Sequence, residues 1–190
     1  MARISGNPAV KGARGMVNGT LVYRKYQDGM ILTGAPEKSS KAPSEKQLEH
    51  RKNFRLANFY AARVKADPEL LAAYREAAVY REYPNVHSFI VADYFHSPEV
   101  LGFMIDPKKE PSEVGWVAVH VIDLMFPRSV TLRIQTPDGT ELESGPAVMA
   151  NDRQSWVLTL LDPTHLAVGN LLEVEVTDYP GHVVNASFVL

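Results

Sequence analysis

The stretch Val130-Thr131-Leu132-Arg133-Ile134-Gln135 decides the fold class of this chain. Apolar and polar residues alternate along it, which is the pattern of a β-strand with one buried face. The same alternation recurs in Leu172-Glu173-Val174-Glu175-Val176-Thr177. Outward from these two segments, strand patterns fill residues 99–190, separated by turns such as Pro137-Asp138-Gly139-Thr140. About seven short strands in this length predict an antiparallel β-sandwich of immunoglobulin type. Trp156 is expected in its core, with Trp116 beside it on the facing sheet.

Before residue 99 the apolar period changes to that of helices. Ser44 and Gln47 form a capping box, and the helix that follows carries a predicted buried stripe of Phe54, Ala57, Ala61 and Val64. Asp67-Pro68 starts a second helix, whose predicted buried face is Leu70, Leu71, Tyr74, Ala77 and Ala78. Asn85 caps a third helix that ends near Ser97-Pro98. We therefore expect a segment of about three helices.

The N-terminal part of the chain predicts a short β-hairpin. Leu21-Val22-Tyr23 and Met30-Ile31-Leu32 flank the turn Gln27-Asp28-Gly29. Four glycines before residue 20 indicate a flexible basic arm. The predicted organisation is therefore α+β, with an arm at 1–19, a hairpin plus helical segment at 20–98 and an Ig-like β-sandwich at 99–190.

Composition excludes several classes of protein. With 190 residues and 45% hydrophobic content, the chain can bury a core. It has no cysteine, which excludes a disulfide framework, a thiolate metal site and a cysteine nucleophile. Residues 1–20 contain no apolar run of signal-peptide length, and no segment approaches the roughly 20 apolar residues of a membrane span. We expect a cytoplasmic protein with no membrane partner, although export without a signal stays open.

Several motifs resemble a group of uncharacterised bacterial proteins of Bacteroidetes type. The resemblance rests on Gly15 to Tyr23, on Pro43-Ser44-Glu45 with Gln47, Arg51 and Phe54, and on Asn85 to Pro98. Further matches are Pro137-Asp138-Gly139, Glu143 with Gly145-Pro146-Ala147, and Thr177-Asp178-Tyr179-Pro180-Gly181, where His182 replaces the Asn that ends many bacterial Ig-like repeats. The resemblance implies a Gly-rich hairpin, a helical segment and a C-terminal Ig-like domain, and it implies no activity.

No catalytic, cofactor-binding or metal-binding constellation is recognisable in the sequence. The six histidines lack a known ligand spacing. Asp93 and His96 lie three residues apart on a helix and are interpreted as a surface hydrogen bond. Asp123, Asp138, Asp152 and Asp178 fall in or near loops and are interpreted as solvated turn formers rather than calcium ligands. Neither a nucleophile elbow nor a phosphate-binding loop is present, so we predict a protein that is not an enzyme.

Charge is divided unequally between the two halves of the chain. Residues 1–83 contain 15 Lys and Arg against 8 Asp and Glu, whereas residues 84–190 contain 5 against 14. Such asymmetry suggests that one half meets a partner of opposite sign. Because an isolated hairpin is marginal in water and its edges can accept further strands, the hairpin is the predicted connector.

We therefore predict a structural or assembly protein that associates with itself or docks into a larger bacterial assembly through its basic N-terminal hairpin and its acidic Ig-like domain. The predicted contacts are Tyr23, Arg24, Lys25, Tyr26, Met30, Ile31 and Leu32.

Two alternatives stay open. The first is nucleic-acid binding by the basic half, where cationic side chains are interleaved with Tyr23, Tyr26 and Phe54. The second is a carbohydrate- or ligand-binding β-sandwich, although the two tryptophans lie in strand patterns where burial is expected.

Overall fold

The structure is a computed structural model that describes residues 2–4, 12–26, 29–37, 41–106 and 115–190, with only the backbone described at 2–4 and 26. It is an α+β protein with three α-helices and antiparallel sheets, which confirms the predicted class. The chain divides into two compact units, Met1–Gln47 and Leu48–Leu190. The boundary between the units lies inside residues 20–98, which were predicted to form a single hairpin plus helical segment.

The first unit contains a four-stranded antiparallel sheet. Its strands are β1 (Ala2–Ile4), β2 (Gly15–Val17), β3 (Leu21–Tyr26) and β4 (Gly29–Gly34), in the order β1-β4-β3-β2. The β3–β4 pairing confirms the predicted hairpin, while Gln27 and Asp28 of its turn lie outside the described residues. Two short strands lie in the stretch that was expected to be an arm. They pair there because each lies against one edge of the hairpin and satisfies backbone groups that water would otherwise have to satisfy.

The three helices begin where their capping residues predict. They are α1 (Glu45–Ala66), α2 (Pro68–Tyr80) and α3 (Val86–Phe95). Ser44 Oγ accepts a hydrogen bond from the Gln47 amide at 3.3 Å, and Gln47 Oε1 accepts one from the Ser44 amide at 3.1 Å. Asp67 accepts bonds from two amides at the start of α2, and Asn85 accepts one at the start of α3. The caps are confirmed, because each satisfies amides that have no partner within the helix.

A helical core forms among α1, α2, α3 and the segment after Ile122. Ala61, Val64, Tyr74, Phe89 and Ile90 are among its fully buried residues. The predicted stripe of α1 is correct at its last three positions and wrong at Phe54, whose side chain is 50% exposed. Helical periodicity identifies which residues share a face, but it does not show how far along the helix other elements cover that face.

The remaining strands form two four-stranded antiparallel sheets that share one core. The first sheet has the order β5-β6-β10-β9 and the second β12-β11-β7-β8. The eight strands are β5 (Glu99–Asp106), β6 (Trp116–Ile122), β7 (Ser129–Gln135), β8 (Glu141–Pro146), β9 (Val148–Met149), β10 (Ser155–Thr159), β11 (Leu171–Thr177) and β12 (Val183–Val189). A 3₁₀ helix, Pro163–Leu166, precedes β11.

The core of this sandwich-like pair of sheets is made by the alternating apolar residues of both sheets. Val117, Val119 and Val121 of the first sheet and Leu132 and Val174 of the second belong to one buried cluster. The alternation in residues 130–135 and 172–177 therefore identified the buried faces correctly.

The two tryptophans do not lie on facing sheets. Trp156 is buried in the sandwich core as predicted, with 7% of its surface exposed. Trp116 is on β6 of the same sheet, where Trp156 pairs with Val119. Because positions 116 and 119 differ by an odd number, Trp116 lies on the outer face. The expectation that Trp116 neighbours Trp156 across the core is therefore wrong.

Candidate functional site

The predicted assembly contacts lie together on β3 and β4. Tyr23 pairs with Leu32, Arg24 with Ile31 and Lys25 with Met30. Tyr26 continues the ladder at its end, where it pairs with Gly29. The seven predicted residues are thus one continuous antiparallel ladder at the centre of the N-terminal sheet.

The edges of this hairpin are more covered than the sequence suggests. Strand β1 pairs with Met30, Ile31 and Leu32, so this part of the β4 edge is occupied. Strand β2 pairs with β3 only as far as Tyr23. Within the described part of the chain, the β3 edge from Arg24 onward has no second strand beside it. The template for an added strand is therefore the end of β3 and not the whole hairpin.

The N-terminal sheet lacks a core of its own. None of the side chains described in residues 12–47 is fully buried. Met16, Val17 and Leu21 are exposed apolar side chains on β2 and β3. A sheet gains most of its stability by burying one face, and the described side chains of this sheet are at most half-buried.

A second candidate site lies within the second unit, where helices α2 and α3 meet loops of the sandwich. Asp93 is 1% exposed, and both of its oxygens accept hydrogen bonds. Tyr74 Oη donates to Oδ2 at 2.6 Å, and the Met125 amide donates to Oδ1 at 2.8 Å. Asp93 therefore joins the helices to the segment between β6 and β7.

The hydrogen bond from Tyr74 to Asp93 is continued by a second hydrogen bond, between Tyr60 and Tyr74. Since the Tyr74 hydroxyl hydrogen points to Asp93, the Tyr60 hydroxyl donates to Tyr74 Oη, with 2.8 Å between the oxygens. Burial raises the pKa of Tyr60 to about 12 and raises the pKa of Tyr74 well above its ordinary range, the charge on Asp93 adding to both effects. Both tyrosines therefore remain protonated donors and do not act as bases.

Asp123 is the carboxyl group in this region whose hydrogen bonding is incomplete. Its Oδ1 accepts from the Leu124 amide at 2.7 Å and lies 3.2 Å from His96 Nδ1. Its Oδ2 is buried without a hydrogen-bond partner. The backbone that follows the Asp123 side chain is held by Arg81, whose guanidinium donates to the carbonyls of Asp123 at 2.7 Å and Leu124 at 3.2 Å.

Asp178 is also buried, and its carboxylate holds the turn between β11 and β12. Its Oδ1 accepts from the amides of Gly181 at 2.7 Å and His182 at 2.6 Å. Its Oδ2 lies 2.6 Å from His182 Nδ1. The ring of His182 therefore adds a side-chain contact to the two amide hydrogen bonds that hold this turn on Asp178.

Three interpretations of these acids from the sequence are wrong. Asp93 and His96 do not form a surface pair, because Asp93 is buried against Tyr74 and Met125 while His96 contacts Asp123. Asp123 and Asp178 are buried and not solvated. A signal for Asp93 was present in the sequence: the residue lies four positions after Phe89 and three after Ile90, on the apolar face of α3.

Burial changes the protonation of two of these carboxyl groups. It raises the pKa of Asp93 to about 6, against the hydrogen bonds from Tyr74 and Met125, which lower it. It raises the pKa of Asp123 to about 7, with the charge on Asp93 adding to the effect. Because no donor contacts Asp123 Oδ2, the charged form of this carboxylate is only partly compensated by hydrogen bonds.

The chemistry of this cluster is that of a structural junction. Within the described residues, no group of three or more His, Asp and Glu side chains could hold a metal ion. The tyrosines are held by Asp93, and the two histidines contact carboxylates that themselves hold loops. The cluster therefore ties helices to loops.

Comparison with known proteins assigns no activity to this chain. No family model matches it, and no curated protein matches it. The solved structures that are similar to about half of it include the following two. CopC from Methylosinus trichosporium OB3b is 17% identical, with a TM-score of 0.35, over 49% of this chain and 90% of that chain. A lipoprotein from Bacteroides thetaiotaomicron is 13% identical, with a TM-score of 0.25, over 50% of this chain and 78% of that chain.

In the parts of the chain that the structure describes, no helix has both the length and the hydropathy needed to cross a membrane.

Proposed function

We propose that this chain is a non-enzymatic structural protein that assembles with further copies of itself through its N-terminal sheet. The observation that carries the proposal is the absence of any fully buried side chain among the described residues 12–47. A four-stranded sheet without a buried face is poorly stabilised alone. Covering it with another protein surface would supply the apolar burial that the unit itself lacks.

The charge of the first unit favours a partner surface that is acidic. The unit Met1–Gln47 contains 8 Lys and Arg against 3 Asp and Glu, and Leu48–Leu190 contains 12 against 19. The first unit is therefore basic and the second acidic, so the second unit of another copy is electrostatically matched to the first. An Ig-type topology for the sandwich, kinship with the Bacteroidetes-type proteins and a cytoplasmic location are parts of the same proposal.

Self-assembly is tested by light scattering after size-exclusion chromatography at several protein concentrations and at low and high salt. We expect masses above 21.1 kDa that rise with concentration and fall with salt. The variant Leu21→Glu should lower the mass, because it puts a charge on an exposed apolar position of β3. Thr20→Glu, one residue earlier in an exposed turn, is the matched control and should assemble normally. A wild-type monomer at every concentration would contradict the proposal.

Nucleic-acid binding is the second candidate, and one observation on α1 favours it. Lys52, Arg55 and Phe59 lie on the exposed side of the helix, away from buried Ala57 and Ala61. Cationic and aromatic side chains on one face can hold phosphates and stack bases. Fluorescence anisotropy with a single-stranded oligonucleotide tests this: affinity should fall steeply with salt, and Arg55→Glu should remove it. Affinity that is absent at low salt excludes this function.

A further inference from the structure

The two outer faces of the sandwich differ in chemistry. On the sheet that contains β7, β11 and β12, the outer face has exposed Val183 and Val189 at the two ends of β12. Its centre is polar, with a depression lined mainly by Thr131, Arg133, Glu173, Glu175, Asn185 and Ser187. This is the expected composition for a surface in contact with water. The outer face of the other sheet does not follow this rule.

One row of residues crosses the outer face of the β5-β6-β10-β9 sheet and is entirely apolar. Met104 pairs with Ala118, Ala118 with Val157, and Val157 with Val148. Directly paired residues point to the same side of a sheet, and the neighbours of Ala118 on β6 point into the core. The ends of the row are exposed, Met104 by 58% and Val148 by 72%, whereas Val157 is half-buried and Ala118 is buried. We call these four residues the apolar row.

A depression lies at the β5 end of the apolar row. Its volume is about 320 Å³, and Leu101, Gly102, Met104, Ala118 and His120 are among the residues that line it. A Cβ placed on Gly102 would meet no atom within 4 Å. Gly102 therefore leaves this part of the depression open, next to a register shift where β5 bulges. It has room for an apolar side chain of a partner.

We propose that the apolar row and the Gly102 depression receive the N-terminal sheet of a second copy of this chain. This inference rests on the proposed function and names the surface that completes it. Val17 and Leu21 are exposed on one face of a basic sheet, and Met104 and Val148, at the two ends of the apolar row, are exposed on the acidic unit. Burying both removes apolar area from water and brings opposite charges together.

The contact is heterologous, because it joins two different surfaces of identical chains. A pair of copies then keeps one free sheet and one free apolar row, so addition continues until a ring closes or a filament forms. The assembly should therefore grow beyond a dimer. A copy with one blocked surface, added to unblocked copies, should stop growth of the assembly at one end.

The first experiment places a charge on the apolar row in the full chain and measures mass by light scattering. Val148→Glu and Met104→Glu change exposed side chains, so their thermal unfolding should match that of the wild type. Both should abolish assembly, whereas Ser187→Glu, an exposed position on the polar face of the other sheet, should leave it intact. Gly102→Val adds no charge, fills the depression and should weaken association about tenfold.

The second experiment mixes two blocked variants. Leu21→Glu retains a free apolar row, and Val148→Glu retains a free N-terminal sheet, so each alone should be monomeric. Their mixture should form a heterodimer of two chains and stop there. A mixture that stays monomeric would overturn the heterologous contact.

The outcomes separate this inference from the proposed function. If the wild type assembles and the Val148→Glu and Met104→Glu variants assemble equally well, self-assembly stands and the apolar row is not its partner surface. If the wild type is monomeric at all concentrations, both the proposed function and this inference are wrong.

Discussion

The N-terminal sheet and the sheets of the sandwich have the same strand number and the same antiparallel pairing, but they differ in what covers them. Each has four strands. In the sandwich, apolar residues of two sheets share one buried cluster that includes Leu132, Leu172 and Trp156. In the N-terminal sheet, Tyr23, Met30, Ile31 and Leu32 are only half-buried.

The difference shows that strand pairing and core formation are separate requirements. Backbone hydrogen bonds make a sheet, but they exchange protein partners for water with a small net gain. Apolar burial against a second layer provides most of the stabilisation. A paired sheet without a second layer is therefore stabilised by whatever else can cover it, which is the physical basis of the assembly proposal.

The largest expected effect is the difference between truncating an apolar side chain in the sandwich and truncating one in the N-terminal sheet. Leu132→Ala removes a fully buried side chain and should lower the free energy of unfolding by about 3 kcal/mol. Ile31→Ala removes a half-buried one and should lower it by about 1 kcal/mol or less. Both tryptophans lie in the sandwich, so denaturant unfolding followed by tryptophan fluorescence reports that region. A shift for Ile31→Ala as large as that for Leu132→Ala would remove the contrast.

The next effect concerns Asp93, which joins the helices of the second unit to the segment between β6 and β7. Asp93→Asn replaces one of two accepting oxygens with an amide group that donates, so either Tyr74 Oη or the Met125 amide loses its acceptor. We expect the free energy of unfolding to fall by about 2 to 3 kcal/mol at pH 8, measured by denaturant titration.

Asp123→Asn is the matched control for that variant. Its Oδ1 can keep both of its contacts, and the new amide group replaces an oxygen that has no partner. At pH 8, where the carboxyl group would be charged, we expect Asp123→Asn to be at least as stable as the wild type. Equal losses for the two variants would show that hydrogen-bond satisfaction does not distinguish the two sites.

The smallest effect is a pH dependence that belongs to the second unit alone. The pKa values of Asp93 and Asp123 are raised to about 6 and about 7 in the folded protein, so between pH 4 and pH 7 the folded protein binds more protons than the unfolded chain. The free energy of unfolding should therefore fall as pH rises through this window. Chemical denaturation at several pH values measures it.

Two variants sharpen this pH experiment. Asp123→Asn should reduce the slope between pH 4 and pH 7. Asp138→Asn should leave it unchanged, because the pKa of exposed Asp138 is lowered by its hydrogen bond with Thr136 and its effect falls below pH 4. A stability that rises with pH across the window would contradict the assignment of both buried acids.

Local patterns predicted much of the fold because they depend on neighbouring residues. The capping residues Ser44, Asp67 and Asn85 begin the three helices, since a cap needs only the amides two or three positions later. Alternation in 130–135 located the buried face of β7. The pairing of β1 and β2 with the hairpin was not predicted, because Ala2–Ile4 and Gly15–Val17 are too short to show a period of their own.

The sites were harder to predict than the elements. Asp123 and Asp178 have the surroundings of ordinary turn acids in the sequence, and only packing against the helices and the β11–β12 turn buries them. The apolar row could be identified only from the strand register, because Met104, Ala118, Val157 and Val148 are far apart in the chain.

The amino-acid sequence by itself determined the class of the protein, the starts of its helices, the inward face of its main strands and its division into a basic and an acidic part. These properties follow from composition and from interactions between residues a few positions apart. Only the tertiary structure decided which acids are buried, which face of the sandwich is left apolar and which sheet is left without a core. These depend on the order of strands and on what packs over them, and both are set by contacts between distant parts of the chain.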